Sequence, residues 1–314
     1  MKDLILALDF GGTKHAAAVV ARGEPTWRAK RQAPATPNGN MTEDLALMLS
    51  LARGALGDER PAAVGVSFGG PVDFAEGTVR LSHHVPGWEG MPLVRRLHDE
   101  FDAPVQVDND ANVAALGEYR FGAGQGCDSL LYVTVSTGVG GGWVLGGQIW
   151  RGHEGMAGEI GHTVVEPAGP WCLCGKRGCV ERMASGRYLA QDARDRLAAE
   201  PERGAALLAL AGGDPAALDA RHVAAAAAQG DPLSLELLQG AGRALGRGLG
   251  NAANMMNPER FVLGGGVTKS GEIFWEAVRA GARAVAMPEV HFEIVQAGLS
   301  DDAPLWGAAA LAGA

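Results

Sequence analysis

The chain is predicted to be α/β, built as two related domains that face each other across a central cleft. A strand, a glycine turn and a returning strand run from Leu4 to Val20, and the same pattern recurs from Leu130 to Leu145. Strands alternate with helical stretches through both halves. At 314 residues the chain is long enough for two domains with substantial cores. An internal echo of this kind marks duplicated architecture, and the cleft is where a ligand is expected.

The elements follow in order. Leu4 to Leu8 reads as a first strand ending at Asp9, which turns through Gly11 and Gly12 into a second strand, Ala16 to Val20. Apolar residues at helical spacing predict a helix from Thr42 to Leu56, with Thr42 as its N-cap. Ala62 to Val66 is a buried strand closed by S-F-G-G-P, Leu93 to Phe101 an amphipathic helix, and Val105 to Val107 a short strand leading into D-N-D-A-N. Asn112 to Tyr119 is a helix. The second half opens with a strand at Leu130 to Val135, the turn S-T-G-V-G-G-G and a return at Trp143 to Leu145. Helices follow at Tyr188 to Leu197, Ala205 to Ala211 and Pro232 to Met255, then a buried strand, Phe261 to Leu263, that meets G-G-G. The alanine-rich run Ala224 to Ala228 fits helix packing, and Leu305 to Ala314 is apolar enough for a closing helix.

Composition excludes several classes. No apolar run is long enough to span a bilayer. The opening M-K-D-L-I-L-A-L-D-F carries an aspartate inside its apolar stretch and no A-x-A site, so it reads as a strand and not a signal peptide. The formal net charge of −9 and the lack of a basic tract argue against nucleic acid as a partner, and no membrane partner is expected. A soluble, cytoplasmic protein is expected.

The densest chemistry lies between Glu154 and Glu181: E-G-M-A-G-E-I-G-H, a short insert, then C-L-C-G-K-R-G-C-V-E. Three of the four cysteines (Cys172, Cys174, Cys179) share one turn-rich segment, with His162 just upstream. Three thiolates and an imidazole are a tetrahedral zinc set, and Gly175 and Gly178 let the chain curl round an ion. An odd number of clustered cysteines pairs badly as disulfides, and the spacing is not C-x-x-C. The turn is also too rich in Gly, Lys and Arg for packed core thiols. Zinc is the reading, and because four protein ligands leave no open position, its role is structural. Glu159 and Glu181 bracket the ligands, as though the knot held two acids still. Cys127 reads as an ordinary core or surface thiol.

Glycine turns suggest phosphate. In D-F-G-G-T-K, Gly11 and Gly12 expose backbone N–H groups beside Thr13 and Lys14, and Asp9 is placed to hold magnesium through water. Thr137, Gly138 and Gly140 offer a second set of donors, and Gly265 and Gly266, after a buried strand, allow close approach of a flat group such as a purine. The first turn also reads as an ordinary hairpin, and the second taken singly is weak because glycine-rich turns are common. There is no G-x-x-x-x-G-K-[ST], so the chain has no P-loop. Asp108, Asn109 and Asp110 close a strand before a helix. A helix N-cap accounts for D-N-D alone; phosphoryl transfer to a hydroxyl needs a carboxylate base and a neutral neighbour, roles that suit Asp110 and Asn109.

Taken together, D-F-G-G-T-K, S-F-G-G-P-V-D, the N-D-A-N at Asn109 to Asn112, S-T-G-V-G-G-G, E-G-M-A-G-E-I-G-H, C-x-C-G-x-x-G-C-x-E and L-G-G-G-V resemble the ROK (repressor, open reading frame, kinase) family of sugar kinases. The resemblance runs from Asp9 nearly to the C-terminus. It implies an actin/hexokinase-like (ribonuclease H-like) fold. A small domain over residues 1–115 would be closed by a C-terminal helix at about 300–314, and a large domain over 116–299 would carry the zinc knot and a dimerisation surface. It also implies ATP with Mg2+ at the glycine turns. A hexose would sit on Gly70 (by its backbone), Asn109, Asp110, Glu159, His162 and Glu181, with Asp110 as general base. His162 would serve zinc through one ring nitrogen and the sugar through the other. The implied reaction is phosphorylation of glucose at the 6-hydroxyl, by a homodimer or homotetramer.

Two positions depart from the family pattern. His84 stands where glucose-directed members usually have asparagine before Leu-Pro-Gly-Trp, and Ser136 where glycine often precedes T-G. The pair His83 and His84 reads equally as a solvated turn. The alternatives are a kinase for an N-acetylhexosamine (N-acetylmannosamine, N-acetylglucosamine) or for mannose or fructose, and a non-catalytic sugar-responsive regulator. The family's repressors carry a helix-turn-helix ahead of the sugar domain, for which a phosphate turn starting at Asp9 leaves no room.

Overall fold

In the computed structural model, which describes residues 3–82 and 85–313, the first half contains β1 (Leu4–Phe10), β2 (Lys14–Ala21), β3 (Ala29–Pro34), α1 (Met41–Leu56), β4 (Ala63–Phe68), β5 (Val72–Asp73), β6 (Thr78–Val79), α2 (Leu93–Phe101) and β7 (Val105–Asn109). Five of these strands form a sheet in the order β3-β2-β1-β4-β7, while β5 and β6 make a small hairpin of their own. β1 runs antiparallel to β2 and parallel to β4, which is parallel to β7. That register sets Asp9 level with Ser67 and Ser67 level with Asp108, so three parallel strands end side by side at their carboxyl ends. In open α/β sheets this is where ligands bind.

The rest of the chain supplies α3 (Asp110–Phe121), β8 (Ser129–Val135), β9 (Val139–Leu145), β10 (Gln148–Trp150), α4 (Val180–Ala184), α5 (Gly186–Ala199), α6 (Ala205–Leu210), α7 (Ala220–Ala228), α8 (Pro232–Met256), β11 (Arg260–Gly264), α9 (Glu272–Arg283), β12 (Glu293–Gln296) and α10 (Ala303–Leu311). The second sheet has the order β10-β9-β8-β11-β12. Numbered within its own sheet, each reads third, second, first, fourth, fifth. The echo of the two strand–turn–strand segments is therefore an echo of whole topology. By its contacts the chain divides into one compact unit of Met1–Tyr132, Gly142–Ala157 and Ala297–Ala314 and another of Val133–Gly141 and Gly158–Gln296. α3, which spans position 115, lies whole in the first unit.

In the first unit β1 is apolar at almost every position because both its faces are covered. Leu4, Leu6 and Leu8 pack with Leu45, Met48 and Leu49 of α1, and Ile5 and Ala7 pack with Leu305, Trp306 and Ala308 of α10. α1 starts one residue earlier than expected, and its N-cap is Asn40, not Thr42. The Asn40 Oδ1 accepts the N–H groups of Thr42 and Glu43 at 2.9 and 3.2 Å, and Glu43 Oε2 accepts the Asn40 N–H at 3.0 Å. That capping box stabilises the first turn by about 1 kcal/mol, and Thr42 is already inside it.

α3 carries Asp110 as its first residue, and its placement rests on α10. A methyl at Gly307 would lie 1.7 Å from the Val113 carbonyl oxygen, and one at Gly117 would lie 2.4 Å from that of Ala303. Only glycine lets these two helices pack backbone to backbone. In the second unit Gly242, Gly246 and Gly250, spaced along one face of α8, approach the α9 backbone in the same way. α4, α9, β3, β5, β6, β10 and β12 lie outside the elements expected from the sequence. β3 (A-K-R-Q-A-P) and β12 (E-I-V-Q) are edge strands with mostly half-exposed or exposed residues, so they lack the apolar run that marks a buried strand.

Candidate active site and metal centre

At the carboxyl end of the first sheet, Asp9 is 6% exposed and accepts the Ser67 hydroxyl at 2.8 Å. Burial pushes its carboxyl up to about 6, against the pull of Ser67 and the Lys14 ammonium. Asp110 is half-buried at the start of α3. Burial, and after it the neighbouring Asp9 carboxylate, pushes Asp110 up to about 6 as well. These are the two acids expected to hold magnesium and to accept a proton, and the fold brings them within each other's field.

Asn109 occupies the N-cap of α3, its Oδ1 accepting the Ala111 N–H at 3.0 Å. Its Nδ2 donates to the Gly70 carbonyl at 3.2 Å, so the cap and the expected neighbour of the base are one side chain. Asp110 Oδ1 accepts the same Ala111 N–H at 2.9 Å. Asp108 is 2% exposed. It receives Arg151 Nε at 2.6 Å, Asn112 Nδ2 at 3.0 Å and the Asn109 N–H at 2.8 Å. The Arg151 guanidinium also lies 3.6 Å from the centre of the Phe74 ring. The end of β7 is thus pinned by a cation 43 residues further along the chain.

Behind the Asp9 turn, Trp88 packs edge to face on Phe10 and Phe68 with centroids 5.4 and 5.0 Å away, and the Phe10 and Phe68 rings lie tilted at 5.9 Å. Trp88 Nε1 donates to Asp44 Oδ2 at 3.2 Å, and His15 Nε2 lies 2.6 Å from Asp44 Oδ1. This buried group stiffens the turn that carries Gly11, Gly12, Thr13 and Lys14. His83 and His84 lie outside the described residues.

In the second unit His162, Cys172, Cys174 and Cys179 come together with one ligand atom from each within 4.8 Å of the others. Cys174 Sγ and Cys179 Sγ are 3.5 Å apart, close to the roughly 3.8 Å edge of a tetrahedron with 2.3 Å metal–sulfur bonds. His162 Nδ1 is buried without a hydrogen-bond partner, whereas Nε2 lies 4.0 Å from Glu159 Oε2. The orphaned Nδ1 is the nitrogen a metal would take. The thiols also behave as a crowded set: burial, with the Cys174 sulfur beside it, pushes Cys179 up to about 12. Sulfur atoms that resist ionising together are ones a dication would bring into the thiolate form. Sharp turns close the loop. Gly178 has φ +61°, and a methyl there would fall 1.7 Å from the Glu166 carbonyl oxygen. Cys127 is buried and apart from this cluster.

Glu181, two residues beyond Cys179, is tied to a glycine turn. Its Oε2 accepts the Val139 N–H at 2.9 Å, and a methyl on Gly138 would lie 2.6 Å from the same oxygen. One carboxylate oxygen is therefore spent on holding the turn that carries Thr137 and Gly140. Glu159, exposed, precedes the short 3₁₀ turn Ile160–His162. Gly265 follows β11 at φ +89°, and a methyl there would meet the Val135 carbonyl oxygen at 2.4 Å. Gly266 is exposed beside it.

The sequence pattern of the ROK family matches residues 5–314. The chain belongs to the ROK family. Among relatives, it is 36% identical over 313 residues to a glucokinase of Streptomyces coelicolor, covering 98% of this chain and 97% of that one. It is 34% identical over 309 residues to an N-acetylmannosamine kinase of Shigella flexneri, covering 98% of each. Among solved structures, a ROK glucokinase from Streptomyces griseus in complex with glucose and AMPPNP superposes with a TM-score of 0.84 at 37% identity, covering 98% of this chain and 99% of that one. A ROK hexokinase from Thermus thermophilus gives 0.84 at 35% identity, covering 98% and 97%. The expected actin/hexokinase-like fold is the fold of these neighbours. Ser67, which bonds Asp9, lies inside the S-F-G-G-P motif, whereas Arg151, which bonds Asp108, belongs to no motif of the chain.

Proposed function

We propose that the chain is an ATP-dependent sugar kinase that phosphorylates glucose at the 6-hydroxyl. The observation that carries the reading is Asp110: a carboxylate at a strand end, with one oxygen anchored to its helix, beside the acid of a glycine turn. The ROK glucokinase that binds glucose and AMPPNP supports the substrates.

Asp110 Oδ2 accepts the proton of the 6-hydroxyl as the sugar oxygen forms its bond to the γ-phosphorus, and the bond to the departing ADP oxygen breaks. Asn109 orients the acceptor, and the Gly70 backbone lies against the sugar. Glu159, His162 Nε2 and the second oxygen of Glu181 bind sugar hydroxyls. The amides of Gly11 and Gly12, with Thr13, Lys14, Thr137, Gly138 and Gly140, take the phosphates, and Gly265 and Gly266 flank the base. Asp9 would hold Mg2+ through water, and the ion would supply charge neutralisation for the phosphates. His162, Cys172, Cys174 and Cys179 would hold Zn2+ with every tetrahedral position filled, so its part is to fix the loop between the sugar-binding acids. A homo-oligomer, dimer or tetramer, is part of the same proposal.

Replacing Asp110 with Asn keeps the shape and removes the proton acceptor. ADP release with glucose and MgATP should fall by about 10²–10⁴-fold while glucose binding changes little. Turnover near the wild-type rate would overturn the assignment.

A further inference from the structure

The metal loop has an outside brace. Leu173 sits between two candidate ligands, Cys172 and Cys174, and its N–H donates to the Tyr188 hydroxyl of α5 at 3.2 Å. The Leu173 side chain is 75% exposed, so packing does not hold this residue. Other bonds of the turn close on the turn itself: the Cys172 N–H meets the Lys176 carbonyl at 2.8 Å, and the Gly175 N–H meets that of Cys172 at 3.0 Å. Tyr188, 5% exposed, is fixed in its turn by Arg182, whose guanidinium lies 4.5 Å from the centre of the ring. Arg182, itself 7% exposed, forms a two-pronged pair with Asp192 at 2.7 and 2.9 Å. Arg182 follows Glu181 on α4, so the same brace reaches the helix that carries a sugar-binding acid.

We infer that Tyr188, steadied by Arg182 and Asp192, is a positioning residue of the metal centre, holding the Cys172–Cys174 turn in the shape that retains the ion. This rests on the zinc reading above. Metal ligands depend on the groups that orient them, and losing such a partner costs about 10–100-fold in metal affinity. Tyr188→Phe keeps the ring over Arg182 and removes only the acceptor.

The test is zinc release from the purified, zinc-loaded full chain into a chromophoric chelator, well below the unfolding temperature. Tyr188→Phe should release zinc about 10–100-fold faster than wild type, and Asp192→Asn faster in the same direction. The KM for sugar should rise with the KM for MgATP unchanged, a split that general loosening of the fold does not produce. Release at the wild-type rate from both variants overturns the brace. Wild-type protein that carries no zinc overturns the metal reading, and the brace with it.

Discussion

At the scale of single residues the site is a problem in charge placement. Asp9 and Asp110 are both pushed up to about 6, and burial is the larger cause in each. A base works only when deprotonated, so activity is present above that value and is lost as the pH falls through it. We expect kcat/KM for the sugar, which reports the free enzyme, to be level above pH 7 and to fall about tenfold per pH unit well below 6. Because the two acids interact, the midpoint belongs to the pair. A profile that stays flat from pH 7 to pH 5 would contradict a base of this kind. Asp108, only two residues away, is excluded from the role by its partners: Arg151 Nε, Asn112 Nδ2 and the Asn109 N–H occupy it.

Among the elements, the loop from His162 to Glu181 is the one that brings the four candidate metal ligands together. Cys174→Ser should lose zinc, raise the sugar KM steeply and lower stability, while ATP binding at Asp9 to Lys14 persists. Metal analysis with nucleotide titration checks this, and normal sugar binding without zinc would contradict it. Gly178→Ala should cost about 1–3 kcal/mol from backbone strain alone, before the clash with the Glu166 carbonyl, and denaturant unfolding of the zinc-loaded protein measures it. This loop was legible in the sequence because its ligands are near neighbours along the chain, and D-F-G-G-T-K and D-N-D-A-N were legible for the same reason. What escaped depends on residues far apart in sequence: Asp108 with Arg151, 43 positions on, or Leu173 with Tyr188, 15 on. No spacing rule reaches those pairs. The N-cap at Asn40 escaped for a smaller reason, since Thr42 two residues later is an equally good cap by type. The polar edge strands β3 and β12 escaped because their residues do not alternate.

For the whole molecule, duplication was legible and the preferred sugar was not. Two five-stranded sheets share one strand order, which the paired strand–turn–strand segments announced. Relatives named for different sugars lie at nearly equal identity, 36% for a glucokinase and 34% for an N-acetylmannosamine kinase. The direct measurement is kcat/KM for ADP release with MgATP across glucose, mannose, fructose, N-acetylglucosamine and N-acetylmannosamine, with the product of the best substrate identified. The account predicts glucose as the best substrate and glucose 6-phosphate as its product. A higher kcat/KM for N-acetylmannosamine would contradict the glucose assignment, and sugar-independent background rates throughout would contradict the kinase itself.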